Sequence, residues 1–125
     1  MENATVTYFV TAVLDGMPWI ATHYHNFIQL KCPWEWHIVE GVSANLADTS
    51  WCQSMTPRLS IDGTSEYLEF LAKHDPRVHY YSSKLWRGKT EQLNAAIRHF
   101  KEDGYLWQVD SYSIVTGKQI GRAHV

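Results

Sequence analysis

The stretch that decides the fold runs from Leu85 to Ser111. It reads Leu85-Trp86-Arg87-Gly88-Lys89-Thr90-Glu91-Gln92-Leu93-Asn94-Ala95-Ala96-Ile97, then Arg98-His99-Phe100-Lys101-Glu102-Asp103-Gly104, then Tyr105-Leu106-Trp107-Gln108-Val109-Asp110-Ser111. Leu93, Ala96, Ile97 and Phe100 recur at i, i+3, i+4 and i+7, one apolar stripe on a helical repeat. The spacing predicts a helix over Thr90 to Asp103, fed by a polar Gly88-Lys89 turn and stopped by Gly104, a residue suited to a left-handed C-cap. The apolar run that follows predicts a strand over Tyr105 to Val109. Asp110 then stands at its carboxyl end, where open α/β sheets bind their ligands.

Working outward, the same alternation recurs upstream. Thr5 to Val13 is β-branched and aromatic, and Asp15-Gly16-Met17-Pro18 is turn and helix-start chemistry. Ile20, Tyr24, Phe27 and Ile28 repeat at helical spacing until Cys32-Pro33 breaks the pattern. Trp34 to Val39 predicts a second strand with the acidic Glu40 at its end. A long polar stretch, Gly41 to Ile61, has the length of a functional lid or a disordered insertion. Asp62-Gly63-Thr64 opens a helix to His74, and Val78 to Tyr81 predicts strand three. The series β-α-β-α-β-α-β implies a three-layer α/β fold, with a parallel sheet covered on both faces by right-handed crossovers.

Composition sets limits on what this sheet can do. With 125 residues, 45% of them hydrophobic, one core and one domain are expected. A net charge of −2 without a Lys/Arg run argues against a nucleic-acid partner, which needs clustered cations. No apolar run reaches the ~20 residues of a membrane span, and no basic-then-apolar start reads as a leader. Cys32 and Cys52 form no metal-type or redox-type pair, so a reduced, cytoplasmic setting is the expectation. His23 and His25 diverge on a helix, and His37, His74, His79 and His99 are scattered, so spacing supports no histidine metal site. Among the tryptophans, Trp36 and Trp107 read as core, while Trp86 abuts the Gly-Lys turn.

Gly88, Lys89, Leu93, Asn94, Ala95 and Asp110, taken in order with the upstream elements, cover Thr5 to Ser111. The segment resembles the GT-A type glycosyltransferases of the nucleotide-diphospho-sugar transferase superfamily. The resemblance implies a Rossmann-like sheet with strand order 3-2-1-4 and a crevice beyond the carboxyl ends of strands one and four. It implies a nucleotide-diphospho-sugar donor, an acceptor hydroxyl, and a nucleotide-binding set of Thr11, Ala12, Glu40, Gly88, Lys89 and Asp110. Asp110 would hold Mg2+ or Mn2+ against the diphosphate. Glu40 would accept from a ribose or base, or else only cap the turn before Gly41. Lys89 would offset phosphate charge, or else be an ordinary exposed lysine, and Asn94 at the stripe's edge would bond a neighbouring loop.

The family's Asp-x-Asp metal motif is incomplete here, because Ser111 and Tyr112 follow Asp110. Ile120-Gly121-Arg122-Ala123-His124-Val125 matches one reading frame of a widely used sequencing adapter. Residues 1–112 are therefore expected to be a truncated nucleotide-sugar-binding domain, and residues 113–125 a non-native or disordered tail. A short strand over Tyr112 to Thr116 is the other reading. The general base would lie in a missing C-terminal half, leaving the fragment inactive. Two other classes fit parts of the pattern: a non-catalytic α/β interaction domain, and a nucleotidyltransferase-like domain. The latter usually carries a Gly-rich loop after strand one, where this chain has Val13-Leu14-Asp15-Gly16.

Overall fold

The structure, a computed structural model, describes residues 5–43, 60, 62–86, 89–109 and 118–123. The elements are β1 (Val6–Val13), α1 (Trp19–Phe27), β2 (Trp34–Ser43), α2 (Thr64–His74), β3 (Val78–Trp86), α3 (Lys89–Ile97), β4 (Gly104–Gln108) and β5 (Lys118–Ala123). The sheet order is β3-β2-β1-β4-β5. Its first four strands are parallel, in the expected order 3-2-1-4. β5 joins β4 antiparallel, which makes residues 118–123, part of the expected tail, an outer strand of the sheet.

Alternation along each strand divides the side chains between two faces. Phe9 and Val13, Trp34, Trp36 and Ile38, Val78, and Val109 face α1 and α2, where Ile20, Phe27, Leu68 and Leu71 meet them in one buried cluster. Val6, Tyr8 and Val10, Val39, and Leu106 face the other way, against Ala96 and Phe100 from the α3 segment. Helices on both faces of a parallel sheet give the three layers of an α/β Rossmann-like fold. Tyr8 fastens the thinner layer: its ring stacks on Phe100 at 3.8 Å, and its hydroxyl donates to the Glu102 carbonyl at 2.8 Å.

Several boundaries differ from the sequence expectation, and the two around Gly104 have a clear physical reason. The helix ends at Ile97 rather than Asp103, its last turn closing through His99 N–H to the Ala96 carbonyl at 3.0 Å and Phe100 N–H to the Ile97 carbonyl at 3.1 Å. Gly104 is then no helix cap. It is the first residue of β4, paired with Val6, and a Cβ there would sit 2.2 Å from the Val6 carbonyl oxygen and 2.9 Å from the Tyr8 ring. The glycine is required for close approach of two backbones, not for a left-handed conformation.

Asp75 closes α2 and ties three elements together. Its backbone N–H donates to the Leu71 carbonyl at 2.7 Å. Its carboxylate accepts from Arg77 Nε at 3.0 Å and Nη2 at 2.9 Å, and from the Tyr24 hydroxyl at 2.7 Å. The Arg77 guanidinium also lies 4.2 Å over the Trp34 ring. The Arg77 hydrogen bonds hold the Asp75 carboxyl at about 2, below the usual 3.8. A depressed carboxylate stabilises the fold above its unfolded pKa, and that contribution disappears as pH falls from about 3.8 to about 2. Arg77 is partly exposed, so the expected size is ~1–2 kcal/mol. Urea unfolding of Asp75→Asn against the parent chain should show a gap near pH 7 that narrows below pH 4; a constant gap would contradict the assignment.

Candidate functional site

Among the described residues, Thr11 and Ala12 near the end of β1, Glu40 late in β2 and Lys89 after β3 stand toward the carboxyl ends of the parallel strands, the rim of the sheet. There the β1–α1 turn is laced to the start of α2. Three consecutive backbone N–H groups are engaged by side chains from the α2 side: Asp15 to Ser60 Oγ, Gly16 to Thr64 Oγ1 and Met17 to Asp62 Oδ2, each at 2.9 Å. Asp62 also accepts from the Thr64 N–H at 3.1 Å and the Thr64 hydroxyl at 2.6 Å, an Asx-type start to the helix. Burial alone would raise the Asp62 pKa, yet these donors outweigh it and the carboxyl is lowered. The amides of this turn are thus spent on protein oxygens, beside a carboxylate, rather than offered to phosphate.

Glu40 does not end its strand. β2 continues to Ser43, with a register irregularity between Glu40 and Val42, and Glu40 is 0% exposed. Its Oε2 accepts from the Ser65 hydroxyl at 2.6 Å and the Ser60 N–H at 3.3 Å. Its Oε1 accepts from the Tyr80 hydroxyl and, at 3.5 Å, from Ser82 Oγ. Ser65 lies in the first turn of α2, where the helix dipole favours an anion. Burial, reinforced by the bond to Glu40, pushes the Tyr80 hydroxyl up to about 12. The expected contact of Glu40 with a ribose or base gives way to a buried clamp joining β2, β3 and α2 beneath the rim. It caps no turn before Gly41 either, since Gly41 continues the strand.

The other expected residues fall into three groups. Thr11 is buried in β1 and its hydroxyl accepts from the Trp36 indole N–H at 3.0 Å, so it supports the floor of the rim. Ala12 is half-buried beside it, and Lys89 is the first residue of α3. Gly88 and Asp110 lie outside the described residues, as do Trp51, Cys52 and most of the expected lid. Val109 N–H donates to the Val10 carbonyl at 2.9 Å, carrying the β1–β4 pairing to the residue before Asp110.

A second group of chemically capable side chains lies at the opposite end of the sheet. Glu35, His37 and His79 each offer a ligand atom, all within 4.8 Å of one another. Histidine spacing in sequence hides it, since His37 and His79 meet only through the parallel register of β2 with β3. The available signal is positional: both histidines follow the first apolar residues of their strands, and Glu35 precedes His37 by the two residues that share a face. Among the described residues no helix is long and apolar enough to cross a membrane.

No protein-family model matches the chain, and no curated protein matches its sequence. Its fold is nevertheless shared with solved structures. TarS 1–349 of S. aureus aligns with a TM-score of 0.59 at 14% identity, over 84% of this chain and 27% of its own. The mannosyltransferase PcManGT from Pyrobaculum calidifontis, in complex with GDP-Man and Mn2+, aligns with a TM-score of 0.59 at 23% identity, over 89% of this chain and 28% of its own. The chain therefore spans little more than a quarter of either neighbour. At such identities the likeness is one of fold, the α/β Rossmann-like sheet.

Proposed function

We propose that this chain is the N-terminal, nucleotide-sugar-binding portion of a metal-dependent glycosyltransferase, one that moves a sugar from a nucleotide-diphospho-sugar to an acceptor hydroxyl. The observation that carries the reading is the strand order 3-2-1-4, which reverses between β1 and β4. A ligand crevice belongs beyond the carboxyl ends at such a switch point. The same fold in PcManGT accompanies GDP-Man and Mn2+, which supports a nucleotide sugar as the ligand class.

In this reading the base and ribose lie over Thr11 and Ala12, while Gly88, Lys89 and Asp110 take the diphosphate end. Glu40 acts from below, as a positioning residue that holds the rim. A divalent ion fits the donor chemistry of Asp110 with diphosphate oxygens and water, since Mg2+ commonly uses only one or two carboxylates alongside phosphates. Bound there, Mg2+ or Mn2+ would stabilise charge on the leaving diphosphate. Lys89 contributes a compact positive charge at the start of α3. The laced β1–α1 turn argues against a nucleotidyltransferase, because its Asp15, Gly16 and Met17 amides are already engaged.

The expected result in calorimetry is weak, Mn2+-dependent binding of UDP or GDP by this chain, lost in Asp110→Ala, with no sugar transfer by the chain alone. Absence of nucleotide binding by the folded chain favours an interaction domain and overturns the proposal. So does binding that ignores both Mn2+ and Asp110→Ala.

A further inference from the structure

We propose that Glu35, His37 and His79 form a binding site for a zinc-type divalent ion at the amino-terminal edge of the sheet, opposite the nucleotide rim and independent of it. Glu35 and His37 occupy one face of β2, and His79 is the Cα partner of His37 on β3. Neighbouring strands lie ~4.8 Å apart, so in-register residues bring their side chains to one spot. Glu35 Oε1 is 2.9 Å from His37 Nε2 and 3.2 Å from His79 Nε2. A tetrahedral ion with bonds of ~2.0–2.1 Å sets its ligand atoms ~3.3 Å apart, so the carboxylate stands near the needed distance from both imidazoles.

The surroundings of His37 favour ligation. Its side chain is 0% exposed, ringed by Phe100 at 4.8 Å, Tyr81 at 5.8 Å and Tyr8 at 6.0 Å between ring centres. Its other nitrogen, Nδ1, lies 2.9 Å from the Tyr81 hydroxyl. That outer partner fixes the ring and leaves Nε2 directed at Glu35, the arrangement that orients metal-bound histidines.

The outer side of the cluster is open. Glu35 and His79 side chains are 31% and 37% exposed, which gives an ion a path in and leaves its fourth position to water. The His37 and His79 rings stack at 4.4 Å with 12° between their planes. Their Nε2 lone pairs therefore run side by side, and the more exposed His79 must tilt for both to converge. Two imidazoles and one carboxylate select Zn2+, Co2+ or Ni2+ over Mg2+, which prefers oxygen alone. The site is thus distinct in chemistry, as in place, from an Asp110 diphosphate cation.

The test titrates the full chain with Zn2+, read by calorimetry, and with Co2+, read by its visible absorption. One saturable site is expected, not displaced by excess Mg2+, with His37 and His79 imidazole resonances shifting while those of His25 and His74 do not. His79→Ala and Glu35→Gln should each weaken Zn2+ at least ~10-fold, the scale for losing even an outer-shell partner of a metal site. His25→Ala, on the exposed side of α1, should leave the affinity unchanged. Absence of saturable binding by the folded wild type overturns the proposal, as does affinity indifferent to both substitutions. The wild-type resonance shifts decide the matter should either variant fail to fold.

Discussion

Replacing Trp36 with alanine is expected to lower the unfolding free energy by about 3–5 kcal/mol, a large share of the ~5–15 kcal/mol that holds a domain of this kind. Trp36 is 0% exposed at the centre of the sheet, with β1 on one side and β3 on the other. Its ring meets Phe27 of α1 edge-on at 5.0 Å. Alanine leaves an apolar void that a rigid, hydrogen-bonded strand cannot collapse to fill. Trp36→Phe separates the contributions. It keeps most of the volume but removes the indole N–H donated to Thr11 at 3.0 Å, for an expected cost of about 1–2 kcal/mol. Urea denaturation followed by circular dichroism measures both, and equal losses for the two variants would contradict this division.

Glu40→Leu is expected to cost a similar ~3–5 kcal/mol, for an electrostatic reason. The carboxylate collects donors from Ser60, Ser65 and Tyr80, and an isobutyl group leaves those donors buried without it. Glu40→Gln keeps the shape but removes the charge. It should be milder, and it should let Tyr80 ionise at lower pH, because part of the rise in that hydroxyl comes from Glu40. Chemical denaturation and ultraviolet tyrosine titration give the two readouts. If Glu40→Leu left stability intact and abolished nucleotide binding, Glu40 would be a ligand contact and the clamp description wrong.

The fold was readable because its signals are local and repeated. The Leu93, Ala96, Ile97 and Phe100 stripe and the β-branched run of β1 each name their element without outside help, and the alternation of the two types implies the parallel sheet. What stayed hidden depends on register. Gly104 looks like a helix stop until Val6 is known to lie against it, and Glu40 looks like a strand end until β2 is seen to continue. His37 and His79 are 42 residues apart in sequence yet partners across one strand pair. The lacing of Asp15, Gly16 and Met17 was equally unreadable. Its acceptors, Ser60, Asp62 and Thr64, reach back across the whole of α1 and β2.

The two layers against the sheet are unequal. Among the described residues eleven buried side chains make the cluster under α1 and α2, against seven under α3. Across the described residues the α3 side is joined to the sheet through Tyr8, whose ring stacks on Phe100 and whose hydroxyl bonds the Glu102 carbonyl just past the helix. Any opening of that layer must break both at once, so Tyr8 acts as its latch.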